Sequence, residues 1–191
     1  MIEKVVRKRS LQGFSEVKET LAHWLSKTPE ERVSAVEQLR RQYHGSSARL
    51  QKLLALFNAH HVDYIIVGAY ALAYHGSPRY TGDLDLLVRP DLENAQRILR
   101  ALDAFGFGSL GLTVEDFTEP DKAPQLGVAP VRIYIATSIT GVSWEEAAAG
   151  RVERSYGDLV VPYLGKKEFI RNKRKLGRKK DLADIEALGE E

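Results

Sequence analysis

Two aspartates one residue apart, Asp83 and Asp85, interrupt the otherwise apolar run DLDLLV. Side chains two apart on a strand share a face, so a strand here sends both carboxylates to one side while Leu84, Leu86 and Val88 enter a core on the other. Like charges that begin about 6 to 7 Å apart repel by roughly 2 to 3 kcal/mol at an effective dielectric near 20. That repulsion calls for a counter-charge. One solution is a hard divalent cation gripped by both carboxylates, with its remaining positions given to waters and phosphate oxygens. The other is an exposed strand end at which Arg79 or Arg89 forms salt bridges to the pair.

The surrounding pattern narrows the fold. DYIIV reads as a buried strand, and Gly68 follows it directly and opens the short helix AYALAYHG, an arrangement in which backbone N–H groups at a helix start receive a phosphate. After the DLDLLV strand, DLENAQRILRALDAFGF reads as a helix capped by Asp91. A loop rich in Gly, Pro and acids fills about 106–130. VRIYIAT is then a strand, SWEEAAAG a helix opening at Ser143, and RVERSYGDLVVPYL a hairpin turning near Gly157 and Asp158. The expected class is α+β: a small mixed sheet flanked by helices, with further helices at both ends.

Ahead of the first strand, Phe14, Val17, Leu21, Trp24 and Leu25 fall at helical spacing, and TPEE opens a second helix with a capping box of Thr28 and Glu31. Val33, Val36, Leu39 and Tyr43 continue its apolar stripe. After HGSS, a third helix runs from about Ser47 to His60. These N-terminal helices are too small for a core of their own and should pack on the rest of the chain or on a partner chain. The division expected is a helical extension over 1–61 and a main domain over 62–191, ending in basic helices over 165–191 and broken at Gly177.

Composition excludes several classes. The chain has no cysteine, which removes disulfides and thiolate metal sites, so a metal should be a hard ion on oxygen ligands. No apolar run reaches the ~18 residues of a membrane span, and MIEKVVRKRS lacks the apolar stretch of a secretory signal. A cytoplasmic protein without a membrane partner is expected. The net charge of +2 hides a local stripe, since Lys166 to Lys180 holds nine Lys or Arg against one acid, Glu168. Such a run is either a solvated helix face or a surface for phosphates.

The whole segment VGAYALAYHGSPRYTGDLDLLV, including His75, Gly76, Arg79 and Thr81, resembles the signature of the minimal nucleotidyltransferases of the DNA polymerase beta superfamily, in the bacterial branch related to AbiEii-type toxins. Ala69 stands where that superfamily more usually has Gly or Ser. The resemblance extends through VRIYIATSITGVSWEEA and IRNKRKLGRKKDLADIEAL, and the N-terminal helices resemble small proteins encoded beside such enzymes, here fused. It implies a nucleotidyltransferase fold that binds a nucleoside triphosphate such as ATP with Mg²⁺ or Mn²⁺. Two-metal transfer of a nucleotide to a hydroxyl of tRNA or protein would result, with a toxin-antitoxin partner as a further implication. Asp83 and Asp85 would be the catalytic and metal-binding residues, and Gly68, Ala69, Arg79, Thr81, Arg132, Tyr134, Lys173 and Arg178 would meet the substrate.

The resemblance also exposes a departure. In the branch, a later strand reads Arg-Ile-Asp and supplies a third carboxylate; here it reads Arg132, Ile133, Tyr134. Val131, Ile133 and Ile135 form the apolar face of that strand, so Tyr134 points where the acid belongs. A phenol with a pKa near ~10 is neutral at pH 7 and a poor ligand for a hard cation. Three outcomes stay open. Glu115, Asp116 or Asp121 in the preceding loop supplies the missing acid, or Tyr134 stacks on a base or sugar in a slow enzyme. Otherwise the protein is a catalytically weakened nucleotide-binding or toxin-antitoxin interaction module. In the C-terminal helices, Lys173 and Arg178 either clamp phosphates or join Asp181 and Asp184 in ion pairs that fasten the helices, and His75 is expected to be structural.

Overall fold

A six-stranded mixed sheet in the order β3-β4-β2-β1-β6-β5 forms the centre of the computed structural model, which describes residues 15–44, 48–127 and 132–190. The strands are β1 (Tyr64–Ile66), β2 (Asp83–Val88), β3 (Gln125–Leu126), β4 (Arg132–Ala136), β5 (Val152–Tyr156) and β6 (Leu159–Tyr163). β1 runs antiparallel to β2, and β2 runs parallel to β4, with Asp83 opposite Arg132 and Asp85 opposite Tyr134. The last two strands are the expected hairpin, closed between Tyr156 and Leu159 with Gly157 at φ +59°.

Nine helices accompany these strands among the described residues: α1 (Glu16–Leu25), α2 (Pro29–His44), α3 (Ala48–Ala59), α4 (Gly68–His75), α5 (Leu92–Phe105), α6 (Glu115–Thr118), α7 (Trp144–Gly150), α8 (Lys166–Leu176) and α9 (Lys179–Glu186). Their starts are set by local chemistry. The Thr28 and Glu31 capping box forms at 3.1 and 2.7 Å, Asp91 accepts from the Asn94 N–H at 2.8 Å, and Ser143 forms a second capping box with Glu146. The expected positions Phe14, Ser47 and Val131, and the side chain of Tyr43, lie outside the described residues.

Alternation along β2 and β4 puts one apolar core on each face of the sheet. On the first face Leu84, Leu86, Val88, Ile133 and Ile135 pack with α3 and α5, and Val33 and Val36 of α2 join the same cluster. Of the N-terminal helices, α2 and α3 therefore share the core of the sheet. α2 is also held by a buried polar cluster, in which the Glu37 carboxylate accepts hydrogen bonds from Arg40, Tyr156 at 2.6 Å and Tyr70. On the second face Ile65, Leu72 and Leu87 pack with Val142, Ala147, Phe169, Ile170 and Leu188, which sets α7, α8 and the end of the chain over the side that carries the two aspartates.

The described part of the expected loop, 106–127, is more regular than its composition suggests. It contains a short 3-10 turn at Gly108–Leu110, the helix α6 and the edge strand β3, and it is pinned by Phe117, which is fully buried. A two-residue strand is too short to show a period. Among the described residues no helix is long and apolar enough to cross a membrane.

Candidate functional site

Gly68 and Asp85 make the tightest contact at the aspartate end of the sheet. Gly68 lies two residues beyond the end of β1 and opens α4 with φ +63°, a conformation that costs a side chain about 1 to 3 kcal/mol. A Cβ there would lie 2.1 Å from Oδ2 of Asp85, so only glycine lets the carboxylate reach the start of the helix. The Val67 N–H donates to the Asp85 carbonyl at 2.9 Å, which fixes the two backbones together. On the other side of β2, the Asp83 N–H donates to the Thr81 hydroxyl at 3.1 Å, bracing the first residue of the strand.

The two carboxylates differ in how they are balanced. Both oxygens of Asp83 accept from one guanidinium, Arg132 Nε at 2.7 Å and Nη2 at 3.2 Å. Asp85 takes no part in the ion pairs and hydrogen bonds made by side chains of the described residues. Burial pushes its carboxyl above the ordinary carboxylate range, the Asp83 charge pushes the same way, and Lys173, Lys180 and Arg79 draw it partly back. A half-buried carboxylate without a partner, beside a second carboxylate and at a glycine-made opening, is a fitting ligand set for one hard cation such as Mg²⁺.

No third acid joins the two among the described residues, for a first ion or for a second. Among the described residues no group of three or more acids or histidines gathers to hold a metal. The loop acids are engaged elsewhere: Asp116 accepts from the Thr113 N–H at 2.9 Å, and Asp121 accepts from the Ser138 hydroxyl at 2.7 Å. The expectation that a loop acid replaces the missing carboxylate is therefore not met. Tyr134 does face the site, as the strand period requires, and its hydroxyl donates to Gln125 of β3 at 2.7 Å. Sequence reasoning passed over Gln125 because it lies in the loop segment that gave no strand signal.

The basic residues divide by role. Lys173 is 6% exposed, and its ammonium meets Asp181 at 2.7 Å and Asp184 at 2.9 Å. Arg178 pairs with Asp181, and Arg79 pairs with Asp184 at 2.9 and 3.2 Å. Of the two expected roles for Lys173 and Arg178, the structure displays the fastening of helices, and Arg79 and Arg89 neutralise neither Asp83 nor Asp85. Arg89 instead meets Asp91 at 2.6 Å and Asp63 at 3.6 Å. Ala69 is 3% exposed, so it can offer a ligand only its backbone. His75 is structural, with Nε2 at 2.7 Å from the Leu164 carbonyl and its pKa lowered by burial. Five more cations of the basic stripe, Lys166, Lys167, Arg171, Arg174 and Lys175, line an open groove of about 750 Å³ together with Ile170 and Glu190.

Comparison with known proteins adds one positive finding. No family model matches the chain, and no curated protein matches it significantly. Among solved structures, it is similar to the crystal structure of a putative nucleotidyltransferase from Thermotoga maritima, with a TM-score of 0.52 and 17% identity, over 72% of this chain and 88% of that one. At this identity the likeness shows the fold alone: a mixed sheet flanked by helices, arranged as in that neighbour.

Proposed function

We propose that this protein binds a nucleoside triphosphate together with Mg²⁺ or Mn²⁺ at the Gly68, Asp83 and Asp85 end of the sheet, and that nucleotide transfer there to a hydroxyl of tRNA or protein is slow. The backbone at the start of α4 receives a phosphate, aided by the glycine that keeps the approach open. Asp85 supplies a carboxylate with no side-chain partner among the described residues, and Asp83 stands beside it. Lys180 and Arg79 add positive potential around Asp85. When bound, the ion would offset the paired carboxylates and polarise the phosphoryl oxygens.

The observation that carries the slow-transfer reading is the register of β2 and β4. Asp85 lies directly opposite Tyr134, whose phenol is given to Gln125, so that position carries no carboxylate to help hold an ion that activates an attacking hydroxyl. A second reading, a nucleotide-binding or toxin-antitoxin interaction module with no turnover, is favoured by the guanidinium that covers Asp83.

Incubation with each labelled nucleoside triphosphate, Mg²⁺ or Mn²⁺, bulk tRNA and cell extract separates the two. Label that enters a macromolecule with the native chain and not with Asp85→Asn supports transfer; nucleotide binding without label supports the module; absence of binding rejects both. Tyr134→Asp restores an acid opposite Asp85 and is expected to raise transfer by at least about tenfold. Unchanged transfer in that variant would remove the missing acid as the explanation.

A further inference from the structure

The pairing of Arg132 with Asp83 places a protein cation where the resemblance puts a metal. The contact is built by the sheet, because Asp83 and Arg132 are directly opposite in the parallel β2–β4 ladder. It is bidentate, which occupies both carboxylate oxygens. An arginine keeps its charge at every accessible pH, so it can leave Asp83 only by displacement and never by losing a proton. Its side chain is 39% exposed, and no other carboxylate pairs with it among the described residues, so it has room to turn outward.

We propose that Arg132 is a latch on the site. A divalent ion and the Arg132 guanidinium compete for Asp83, and the phosphates of a nucleotide accept the guanidinium as it swings away. Divalent metal alone binds weakly through Asp85, while metal and nucleotide bind together strongly, since each relieves the contact that opposes the other. The latch keeps Asp83 neutralised in the free protein, which offsets the repulsion from Asp85. The nucleotide half of this proposal rests on the function proposed above; the competition between ion and arginine does not.

Mn²⁺ titration followed by electron paramagnetic resonance, which counts free ion directly, tests it on the full chain without any turnover. Arg132→Gln is expected to bind Mn²⁺ at least about tenfold more tightly than the native chain, and the gain is expected to vanish in the Arg132→Gln, Asp83→Asn double variant. A nonhydrolysable ATP analogue should tighten Mn²⁺ binding to the native chain and have little further effect on Arg132→Gln. Equal Mn²⁺ affinity in native and Arg132→Gln, or no binding in either, overturns the latch. A gain that persists in the double variant also overturns it, because the arginine would then act through general charge and not through Asp83. Where circular dichroism shows Arg132→Gln unfolded, Arg132→Lys serves the same comparison: it keeps the charge but cannot make two parallel bonds, and Mn²⁺ affinity no tighter than native overturns the proposal. Failure of the analogue to bind at all rejects the nucleotide reading while leaving the metal arms to decide the latch.

Discussion

Asp85 and Asp181 are both drawn out of water, and their surroundings push them in opposite directions. Asp181 is fully buried at the corner of α8 and α9; burial alone would raise its pKa, but hydrogen bonds from Arg178 and Lys173 outweigh burial and hold it at about 2. Asp85 has the burial and a neighbouring carboxylate without the direct partners, so it is raised. One corner has satisfied its charges within the protein, and the other leaves Asp85 without a direct side-chain partner among the described residues. A stabilising charge network and the proposed binding site thereby lie on a single side of one sheet.

Removing the central cation of the satisfied corner should have the largest effect. Lys173→Met leaves Asp181 and Asp184 buried with only the flanking Arg178 and Arg79, and is expected to cost roughly 3 kcal/mol, read as a lower urea midpoint. A native midpoint would mean that this network holds nothing together, and the contrast with Asp85 would fail. At the other corner, Gly68→Ala combines a positive φ with the 2.1 Å approach to Asp85. It is expected to cost up to about 3 kcal/mol and to lose nucleotide binding more completely than stability, checked by melting and by nucleotide titration of the same preparation.

The pH dependence sharpens the contrast with smaller effects of opposite sign. The folded pKa of Asp181, about 2, lies below its ordinary value of 3.8, so its contribution is fully present above that value and disappears as pH falls toward 2. Native protein should exceed Asp181→Asn by about 2 kcal/mol at pH 7, with the gap closing between about pH 4 and 2. Asp85 runs the other way: a raised carboxyl penalises the folded state at neutral pH, and acid relieves it. Asp85→Asn should therefore be at least as stable as native at pH 7, with the difference fading in acid. Urea midpoints across the pH range read both variants, and a destabilised Asp85→Asn would show that the carboxylate is already satisfied by the protein.

Legibility from sequence tracked the range of the interaction involved. The capping box at Thr28, the helix start at Ser143, the Asp91 cap, the hairpin turn and the face shared by Asp83 and Asp85 were all readable, because each is set by residues within four positions of one another. Gln125 was not, because β3 is two residues long and exists only by pairing with β4. The Arg79 to Asp184 pair was equally hidden, since 105 positions separate its members. Glu37 and Arg40 read as ordinary polar residues of a helix, and their burial against Tyr70 and Tyr156 arises from how α2 lies on α4 and β5.

The sequence by itself determined which side chains lie on the carboxylate face of the sheet, Tyr134 among them, because a strand's period of two is local. Only the tertiary structure decided that Arg132 covers Asp83, that Lys173 is consumed by Asp181 and Asp184, and that the Asp85 carboxyl has no side-chain partner among the described residues. Which opposite charges meet depends on strand register and helix packing, where residues far apart in the chain come within 3 Å, and composition counts charges without pairing them.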